Sequence, residues 1–251
     1  MMLIRLIILL LLSANLFAGD LVKNWPVGKK VTYDYNIKTY QPKETNNHST
    51  LTVTKKADSL LVINQSIEIK AQSVIINSAE QYIGSDHKFK SSDNEIIIPN
   101  THGQEIGHDT IMVTANDMGN GKIKIVGNRN DIITSYINNE NLLTGTGALL
   151  YTRNMNFTVG SSATYNFVNF YQVAKEKEFH TIQVKDSVVG IENVTTSLGS
   201  FECYKVKNIV PGGFGYTYYS NDENHLMIKS ELMHPETGEP MSTVTLVKVS
   251  D

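Results

Sequence analysis

The segment from His102 to Asp109 is the most suggestive polar cluster of the chain. It reads His102-Gly103-Gln104-Glu105-Ile106-Gly107-His108-Asp109. Imidazole and carboxylate groups bind zinc when the fold brings them together. A zinc-binding helix, however, needs two histidines four residues apart on one face, and that spacing is not present here. Because the two glycines favour a loop, we expect a solvated loop and no metal site.

Cys203 is the only cysteine in the chain, so it is the only candidate for a thiol nucleophile. A thiol enzyme needs a histidine held beside the sulfur, and His180 and His225 are the candidates for that position. The pattern around Cys203 is that of an alternating apolar strand, where a cysteine is usually a small buried hydrophobe. We therefore expect Cys203 to be buried and not to be catalytic.

Other catalytic patterns are weak or missing from the sequence. It contains no Gly-x-Ser-x-Gly motif, and Gly145-Thr146-Gly147 lacks the strand, lysine and helix of a phosphate-binding loop. Asp222 and Glu223 are neighbours in a predicted turn, which favours exposure to solvent over general acid and base catalysis. We predict no catalytic residue, no cofactor and no enzymatic activity. An enzyme whose site is not visible in the sequence is the weakest alternative.

A set of aromatic residues in the C-terminal half gives the remaining functional hint. If these side chains line the mouth of a curved sheet, they form a concave apolar pocket that suits an acyl chain. The alternative is that they pack in the core or on the surfaces of strands, as aromatics in β-proteins commonly do. The set comprises Tyr165, Phe167, Phe170, Tyr171, Phe201, Phe214, Tyr216, Tyr218 and Tyr219.

The elements that would position these residues are β-strands. Val31, Tyr33, Tyr35 and Ile37 occupy every second position with polar residues between them, which predicts a half-buried strand. A polar segment at 41–47 predicts a turn. The same alternation predicts strands at 50–55, 60–70, 73–77, 81–89, 111–116, 122–126, 132–137, 163–171, 178–191, 199–209, 215–219, 225–233 and 241–249.

Repeated short strands with polar turns predict an all-β, mainly antiparallel fold: a strongly curved sheet or a partly open barrel. Residues 140–153 break the pattern, and we expect one short helix or loop there that covers the sheet. Gly190 is a predicted turn. No repeat of fixed period and no linker is visible, so residues 19–251 are expected to form a single domain.

The N-terminal segment, residues 1–18, is typical of a signal peptide. A single positive residue, Arg5, precedes an apolar run from Leu6 to Leu12 and then small residues. The run is shorter than the ~20 residues that a membrane-spanning helix needs. We expect cleavage between Ala18 and Gly19 and a soluble periplasmic or secreted product. An uncleaved anchor is the rival interpretation.

Charge and cysteine content exclude two classes of protein. The formal net charge is −3, and loss of Arg5 with the signal peptide makes the mature chain one unit more negative. Because no cluster of Lys and Arg offsets this charge, we expect no nucleic-acid partner. A single cysteine excludes an internal disulfide framework.

Several segments resemble an exported bacterial family known as domain of unknown function 3108. The likeness rests on residues 27–35, 148–153, 159–160, 189–196, 198–206, 215–220 and 226–231. Many family members carry a tryptophan where this chain has Tyr218 or Tyr219. The resemblance implies a curved antiparallel sheet that closes towards a barrel, akin to envelope proteins that shield apolar ligands. It implies no catalytic residue. The turn at Gly199 would then direct Phe201, Cys203 or Tyr204 and Val206 towards a core.

Together these observations predict a non-enzymatic, exported cell-envelope protein that binds an apolar or lipid-like ligand. The alternative is an interaction module that pairs with an envelope protein through an exposed strand edge. The ligand-binding residues are not identified by the sequence.

Overall fold

We describe the architecture from a computed structural model, over residues 25–40, 44–70, 73–83, 88–100, 107–128, 134–138, 142–143, 155–168, 181–223 and 225–251. Fifteen strands lie in these ranges, which contain no α-helix. They are β1 (Lys30–Thr39), β2 (Thr45–Ala57), β3 (Leu60–Ile69), β4 (Val74–Ile83), β5 (Lys88–Asn100), β6 (Gly107–Asp117), β7 (Lys122–Gly127), β8 (Ser135–Asn138), β9 (Leu142–Leu143), β10 (Ser162–Val168), β11 (Thr181–Thr196), β12 (Gly199–Val210), β13 (Gly213–Ser220), β14 (Met227–Met233) and β15 (Pro240–Ser250).

All fifteen strands form one sheet in which nearly every pair of consecutive strands is hydrogen-bonded. The order is β8-β7-β6-β5-β4-β3-β2-β1-β15-β14-β13-β12-β11-β10-β9, so the first and last strands of the chain pair at its centre. The two ends of the order, β8 and β9, are joined by residues 139–141. Four Cα steps span at most ~15 Å, whereas fifteen flat strands would extend over about 70 Å. The sheet must therefore curve strongly enough to bring the end of β8 within ~15 Å of the start of β9. The expected all-β, strongly curved antiparallel sheet is confirmed.

One antiparallel pair, β1 with β15, joins the two halves of the sheet. Thr39 pairs with Ser242 and Ile37 with Val244, and the register shifts between Asp34 and Tyr35. Among the described strands, β9 and β10 are the one pair that runs in parallel, over two residues. The β8–β9 boundary is thus the one place in the described part where strands consecutive in the chain are not paired, and we call it the seam.

The sheet has an inner face, which carries the core, and a solvent face. On β1, Val31, Tyr33, Tyr35 and Ile37 are buried while the residues between them are more exposed. The alternation continues across the sheet because cross-strand partners share a face. The largest fully buried side chains, apart from these, include Leu51, Leu61, Ile63, Ile67, Tyr82, Phe167 and Tyr219.

Two predicted strands were misplaced in the middle of the chain. Residues 73–77 and 81–89 were expected to be separate strands, but β4 continues to Ile83 and β5 begins at Lys88 and runs to Asn100. The polar stretch of β5 hides its alternation, since Ser92 and Asn94 occupy buried inner positions. Strand β2 begins at Thr45, inside the segment that was expected to turn.

Three local expectations are also corrected. Gly107, His108 and Asp109 belong to β6 and not to a loop, because β6 continues its pairing with β5 as far as Gly107. Gly190 lies within β11 at a shift of register against β12, so it accommodates a bulge and not a turn. Leu142 and Leu143 form the short strand β9, although a helix or loop was expected there.

Residues 1–18, the predicted signal peptide, lie outside the described residues, as does most of 140–153. Within the described residues, no helix has the length and apolarity to cross a bilayer.

Candidate functional site

A shallow, open groove of about 510 Å³, lined mainly by residues with polar side chains, lies on the solvent face of β2 to β6. Its floor is formed by cross-strand rows of side chains. In one row, Asn64 on β3 is opposite Ala79 on β4, which is opposite Asp93 on β5. The methyl group of Ala79 is much smaller than its two neighbours. The row therefore dips at Ala79, which produces the groove.

The adjacent row is fixed by hydrogen bonds. The Ser66 hydroxyl donates to Oδ1 of Asn77 over 2.8 Å, and Nδ2 of Asn77 donates to Oε2 of Glu95 over 2.9 Å. These bonds hold the amide and the carboxylate in one orientation each. A further bond on the same face joins Thr50 to Oδ1 of Asp34 over 3.0 Å. Among the described residues, the groove thus presents hydroxyl, amide and carboxylate groups and no lysine or arginine.

A row of buried polar side chains crosses the inner face from β10 to β14. Tyr165 donates to Oδ2 of Asp186, Asn208 donates to Oδ1 of Asp186 over 2.7 Å, and Thr217 donates to Oδ1 of Asn208 over 2.7 Å. The hydroxyl groups of Thr217 and Ser230 lie 3.2 Å apart. We call this row the polar belt. Both oxygens of the Asp186 carboxyl group accept a hydrogen bond within it, as buried polar atoms require.

On β11 and β12 the polar belt separates two apolar clusters. Val188 and Val206, on one side of it, belong to the main core. A separate apolar cluster lies on the other side and consists of Tyr165, Phe167, Val184 and Val210, with Ile182 packed against it. We call it the small cluster. Its strand β10 is next to β9, so the small cluster lies beside the seam.

The aromatic set does not line a single surface. Tyr165 and Phe167 belong to the small cluster, and Tyr219 is buried in the main core. Tyr218 is also buried and belongs to the main core, although Lys205 Nζ is 5.7 Å from its ring centroid. Phe214 and Tyr216 lie on the solvent face, where Lys207 Nζ is 4.9 Å from the Phe214 ring centroid and Lys205 Nζ is 4.5 Å from that of Tyr216. Phe201 packs against the main core. Phe170 and Tyr171 lie outside the described residues.

Tyr218 is buried, with Nζ of Lys205 and of Lys229 5.7 and 5.6 Å from its ring centroid. Its hydroxyl donates a hydrogen bond to Oε2 of Glu231 over 2.9 Å. Burial raises the pKa of its phenol, and the nearby Glu231 carboxylate raises the pKa further. Tyr218 therefore remains a neutral hydrogen-bond donor at physiological pH.

Cys203 is fully buried, as expected. Burial raises the pKa of its thiol to about 12, with smaller contributions from Asp222 and Glu202. His225 is held elsewhere: its Nδ1 lies 3.1 Å from the Ser220 carbonyl oxygen, and its ring lies 4.4 Å from that of Phe157. No hydrogen bond between His225 and Cys203 occurs in the described part. His180 lies outside it. The arrangement provides no activated thiolate.

The remaining sequence candidates do not form a site in the described part of the chain. Residues 102–106 and 145–147 fall outside it, and Asp109 is exposed on β6. Asp222 and Glu223 lie in the exposed β13–β14 turn, where Oδ1 of Asp222 accepts hydrogen bonds from the Ser220 hydroxyl and the His225 backbone amide. Asp222 thus stabilises the turn. No group of three or more His, Cys, Asp or Glu residues among the described residues could hold a metal ion.

Sequence reasoning missed the groove and the polar belt. Asn64, Ala79 and Asp93 are far apart in the chain and carry no motif, and only the pairing of β3, β4 and β5 makes them neighbours. The belt residues likewise come from five strands. The one available signal was a polar residue at an apolar position of a strand pattern, such as Asp186 between Val184 and Val188.

Comparison with solved structures shows a shared fold with a bacterial protein of unknown function. The chain superposes with a TM-score of 0.55 on a β-barrel-like protein of domain of unknown function 1849 from Brucella abortus; 89% of this chain and 98% of that one are covered, at 9% identity. A protein with a YmcC-like fold from Bacteroides fragilis matches over 90% of this chain and 98% of its own, with 13% identity and a TM-score of 0.34, too low to support a shared fold. No family model matches the chain, and no curated protein matches it significantly.

Proposed function

We propose that this protein is a non-enzymatic, exported component of the cell envelope that binds an apolar or lipid-like ligand at the inner face of its curved sheet. The observation that carries the proposal is the small cluster, an aromatic-lined apolar patch beside the seam. Membership of the family known as domain of unknown function 3108, or a branch close to it, is part of this proposal and rests on the sequence motifs.

The small cluster suits an amphipathic molecule. Phe167, Val184 and Val210 offer apolar surface, and the polar belt borders them with hydroxyl and amide groups. An acyl chain would pack on the apolar side while a hydroxyl or carboxylic acid group reached the belt. Ligand pockets commonly combine a largely apolar wall with a few polar groups that fix orientation.

The position of the small cluster gives a route of entry. Its side chains are buried, so a ligand must displace what covers them. The neighbouring strand β9 is paired with β10 over only two residues. Such a short strand at the end of a sheet opens at little cost compared with a central strand, because local opening costs less free energy where few contacts hold an element.

A binding role is favoured over catalysis by the state of Cys203. Its thiol is protonated at neutral pH because burial raises the pKa to about 12. The Thr50 hydroxyl lies 3.1 Å from Nε2 of His48, but it donates its proton to Oδ1 of Asp34, so this imidazole does not accept the hydroxyl proton as a catalytic base would. An enzyme is therefore the weakest of the functions considered.

The proposal is tested with a fluorescent reporter. Trp25, the only tryptophan, is replaced by Phe, and a new tryptophan is introduced by Phe167→Trp or, as a control on the solvent face, by Tyr216→Trp. A brominated fatty acid should quench tryptophan 167 strongly and tryptophan 216 little, since bromine quenches only at short range. Native mass spectrometry of the gently purified wild type should show a bound lipid. Equal quenching of the two reporters, or no bound mass and no quenching, would refute the proposal.

A second candidate function is pairing with a partner strand at the seam. In the described part, β8 is paired only with β7 and β9 only with β10. Unpaired edges offer backbone hydrogen bonds to an incoming strand. A photo-crosslinker at Ile137 on β8 should then form a defined adduct in the cell envelope, and one at Lys185, in the interior of the sheet, should not. An identical adduct pattern at the two positions would exclude edge pairing.

A further inference from the structure

We infer that the solvent-face groove of β2 to β6 is a binding site for a neutral, hydroxyl-rich ligand, that is, a saccharide. The site is separate from the inner face, because the side chains that define it, Asn64, Ala79 and Asp93, alternate with core residues along their strands. The inference therefore does not depend on the proposed lipid-like ligand.

The shape of the groove follows from the dip at Ala79. Adjacent strands are ~4.8 Å apart, so the backbones that carry Asn64 and Asp93 are separated by about 10 Å with only a methyl group between them. A sugar ring with its hydroxyl groups fits between two such flanking side chains. The open length across five strands would accommodate more than one ring.

The chemistry of the walls favours hydroxyl groups. A ligand hydroxyl is a donor and an acceptor at once, and it is matched by carboxylates that accept and by amides that do both. Asp93 and Asn64 form no side-chain hydrogen bond with other described residues, so their polar atoms are free for a ligand. Oε1 of Glu95 is also available, because Asn77 occupies Oε2.

Charge excludes anionic ligands such as phosphates and acidic lipid headgroups. None of the described lining residues is Lys, Arg or His, whereas Asp93 and Glu95 are both acidic. An anion would meet these carboxylates without a compensating cation. A neutral ligand avoids this repulsion.

A bound metal ion is also disfavoured by geometry. Asp93 and Glu95 are two residues apart on one strand, which separates their Cα atoms by about 7 Å. Calcium needs six to eight oxygen ligands within ~2.6 Å. The groove supplies two carboxylates at this spacing, one of which already accepts a hydrogen bond from Asn77. Its donor set is therefore that of a saccharide site and not of a cation site.

The hydrogen-bonded row beside the dip makes the site rigid before a ligand arrives. Two hydrogen bonds link Asn77 to Ser66 and to Glu95, so these side chains lose little conformational freedom when a ligand binds. Neighbouring strands on both sides keep the rows in register. A preorganised polar surface of this kind compensates for the modest strength of each hydroxyl contact.

The test uses an array of neutral oligosaccharides, with glucans, galactans and mannans of different linkage, followed by calorimetric titration of the strongest binder. Ala79→Phe fills the dip. Ser187→Phe, which places the same side chain on the solvent face of β11, is the matched control. We expect wild type and Ser187→Phe to bind equally and Ala79→Phe to lose at least tenfold in affinity while its melting temperature stays within a few degrees. If Ala79→Phe is unstable, the double variant Asn64→Ala, Asp93→Asn takes its place.

The outcomes separate the possibilities. Failure of the wild type to bind any neutral saccharide, or unchanged binding by Ala79→Phe and by the double variant, overturns the inference. Binding of calcium or of a polyamine that is abolished by Asp93→Asn also overturns it, since it assigns a cation to the groove. We expect Ala79→Phe to leave the quenching of tryptophan 167 by brominated fatty acid unchanged. The saccharide test and the lipid test can therefore fail independently of each other.

Discussion

Nδ2 of Asn208 on β12 donates a hydrogen bond of 2.7 Å to the buried carboxylate of Asp186 on β11. The two residues are direct cross-strand partners. Through Oδ1 of Asn208 the contact extends to Thr217 on β13. A side chain that both donates and accepts in this way ties three strands together, so it fixes the register of β11, β12 and β13 as well as contributing to stability.

Replacing Asn208 by Leu should destabilise the protein by about 3 kcal/mol, because the buried Asp186 carboxyl group and the Thr217 hydroxyl both lose their hydrogen-bond partner. Urea unfolding measures the loss. The matched control is Asn193→Leu, at an exposed site of β11, which should change the free energy of unfolding by less than ~0.5 kcal/mol. Equal effects of the two substitutions would show that the belt contributes no more than a surface position.

Cys203 should resist thiol-specific alkylation in the native protein, because its side chain is fully buried and its thiol protonated. Ser200→Cys in the Cys203→Ala background provides the control, since position 200 is exposed on the same strand. We expect labelling of residue 200 within minutes and labelling of residue 203 only after addition of denaturant. Fast native labelling of Cys203 would contradict its burial.

The thiol of Cys203 should also make stability depend on alkaline pH. Burial raises its pKa from 9.0 to about 12 in the folded state. Below pH 9 the thiol is protonated in both states, and its stabilising contribution is fully present. Between pH 9 and about 12 the unfolded chain loses the proton first, so stability falls.

Other groups titrate over the same range, so the measurement is the difference between wild type and Cys203→Ala. We expect the wild type to lose more unfolding free energy than the variant between pH 8.5 and 10.5. If the unfolding free energies of wild type and Cys203→Ala changed in parallel with pH, the thiol would have the same pKa in the folded and unfolded states.

Gly199 and Gly190 should respond differently to substitution by Ala. A Cβ atom at either position meets nothing within 4 Å, but Gly199 has φ +128°. That backbone conformation is open to glycine and costly for other residues, by ~1–3 kcal/mol. Gly199→Ala should therefore lower the melting temperature by several degrees, while Gly190→Ala should leave it nearly unchanged. An added Cβ atom is sterically tolerated at both sites. If the two substitutions lowered the melting temperature equally, the positive φ of Gly199 would not be the cause.

Tyr218→Phe should destabilise the protein by about 1 kcal/mol, because the Glu231 carboxylate loses its hydrogen bond from the phenol. Tyr216→Phe is the comparison, since the ring that Lys205 contacts is retained and no hydrogen bond of the Tyr216 hydroxyl occurs in the described part. Chemical unfolding of the two variants measures the difference. A larger loss for Tyr216→Phe would contradict the assigned role of the Tyr218 hydroxyl.

The sequence by itself determined the class of fold and most of the C-terminal strands. Where apolar residues alternate without interruption, as from Val31 to Ile37, the two-residue period of a strand dictates which side chains face the core. Gly199 was correctly placed in a tight turn, and Cys203 and Val206 were correctly expected in a core, because these are local properties of a hairpin.

Tertiary structure decided everything that depends on which strands are neighbours. Strand β5 is stable despite its polar stretch because it pairs with β4 and β6 along its length. The closure of β1 on β15 joins residues about two hundred positions apart. The dip between Asn64 and Asp93 and the bond between Asn208 and Asp186 also require particular registers. Register is set by the summed pairing of whole strands, so it cannot be predicted from any single residue.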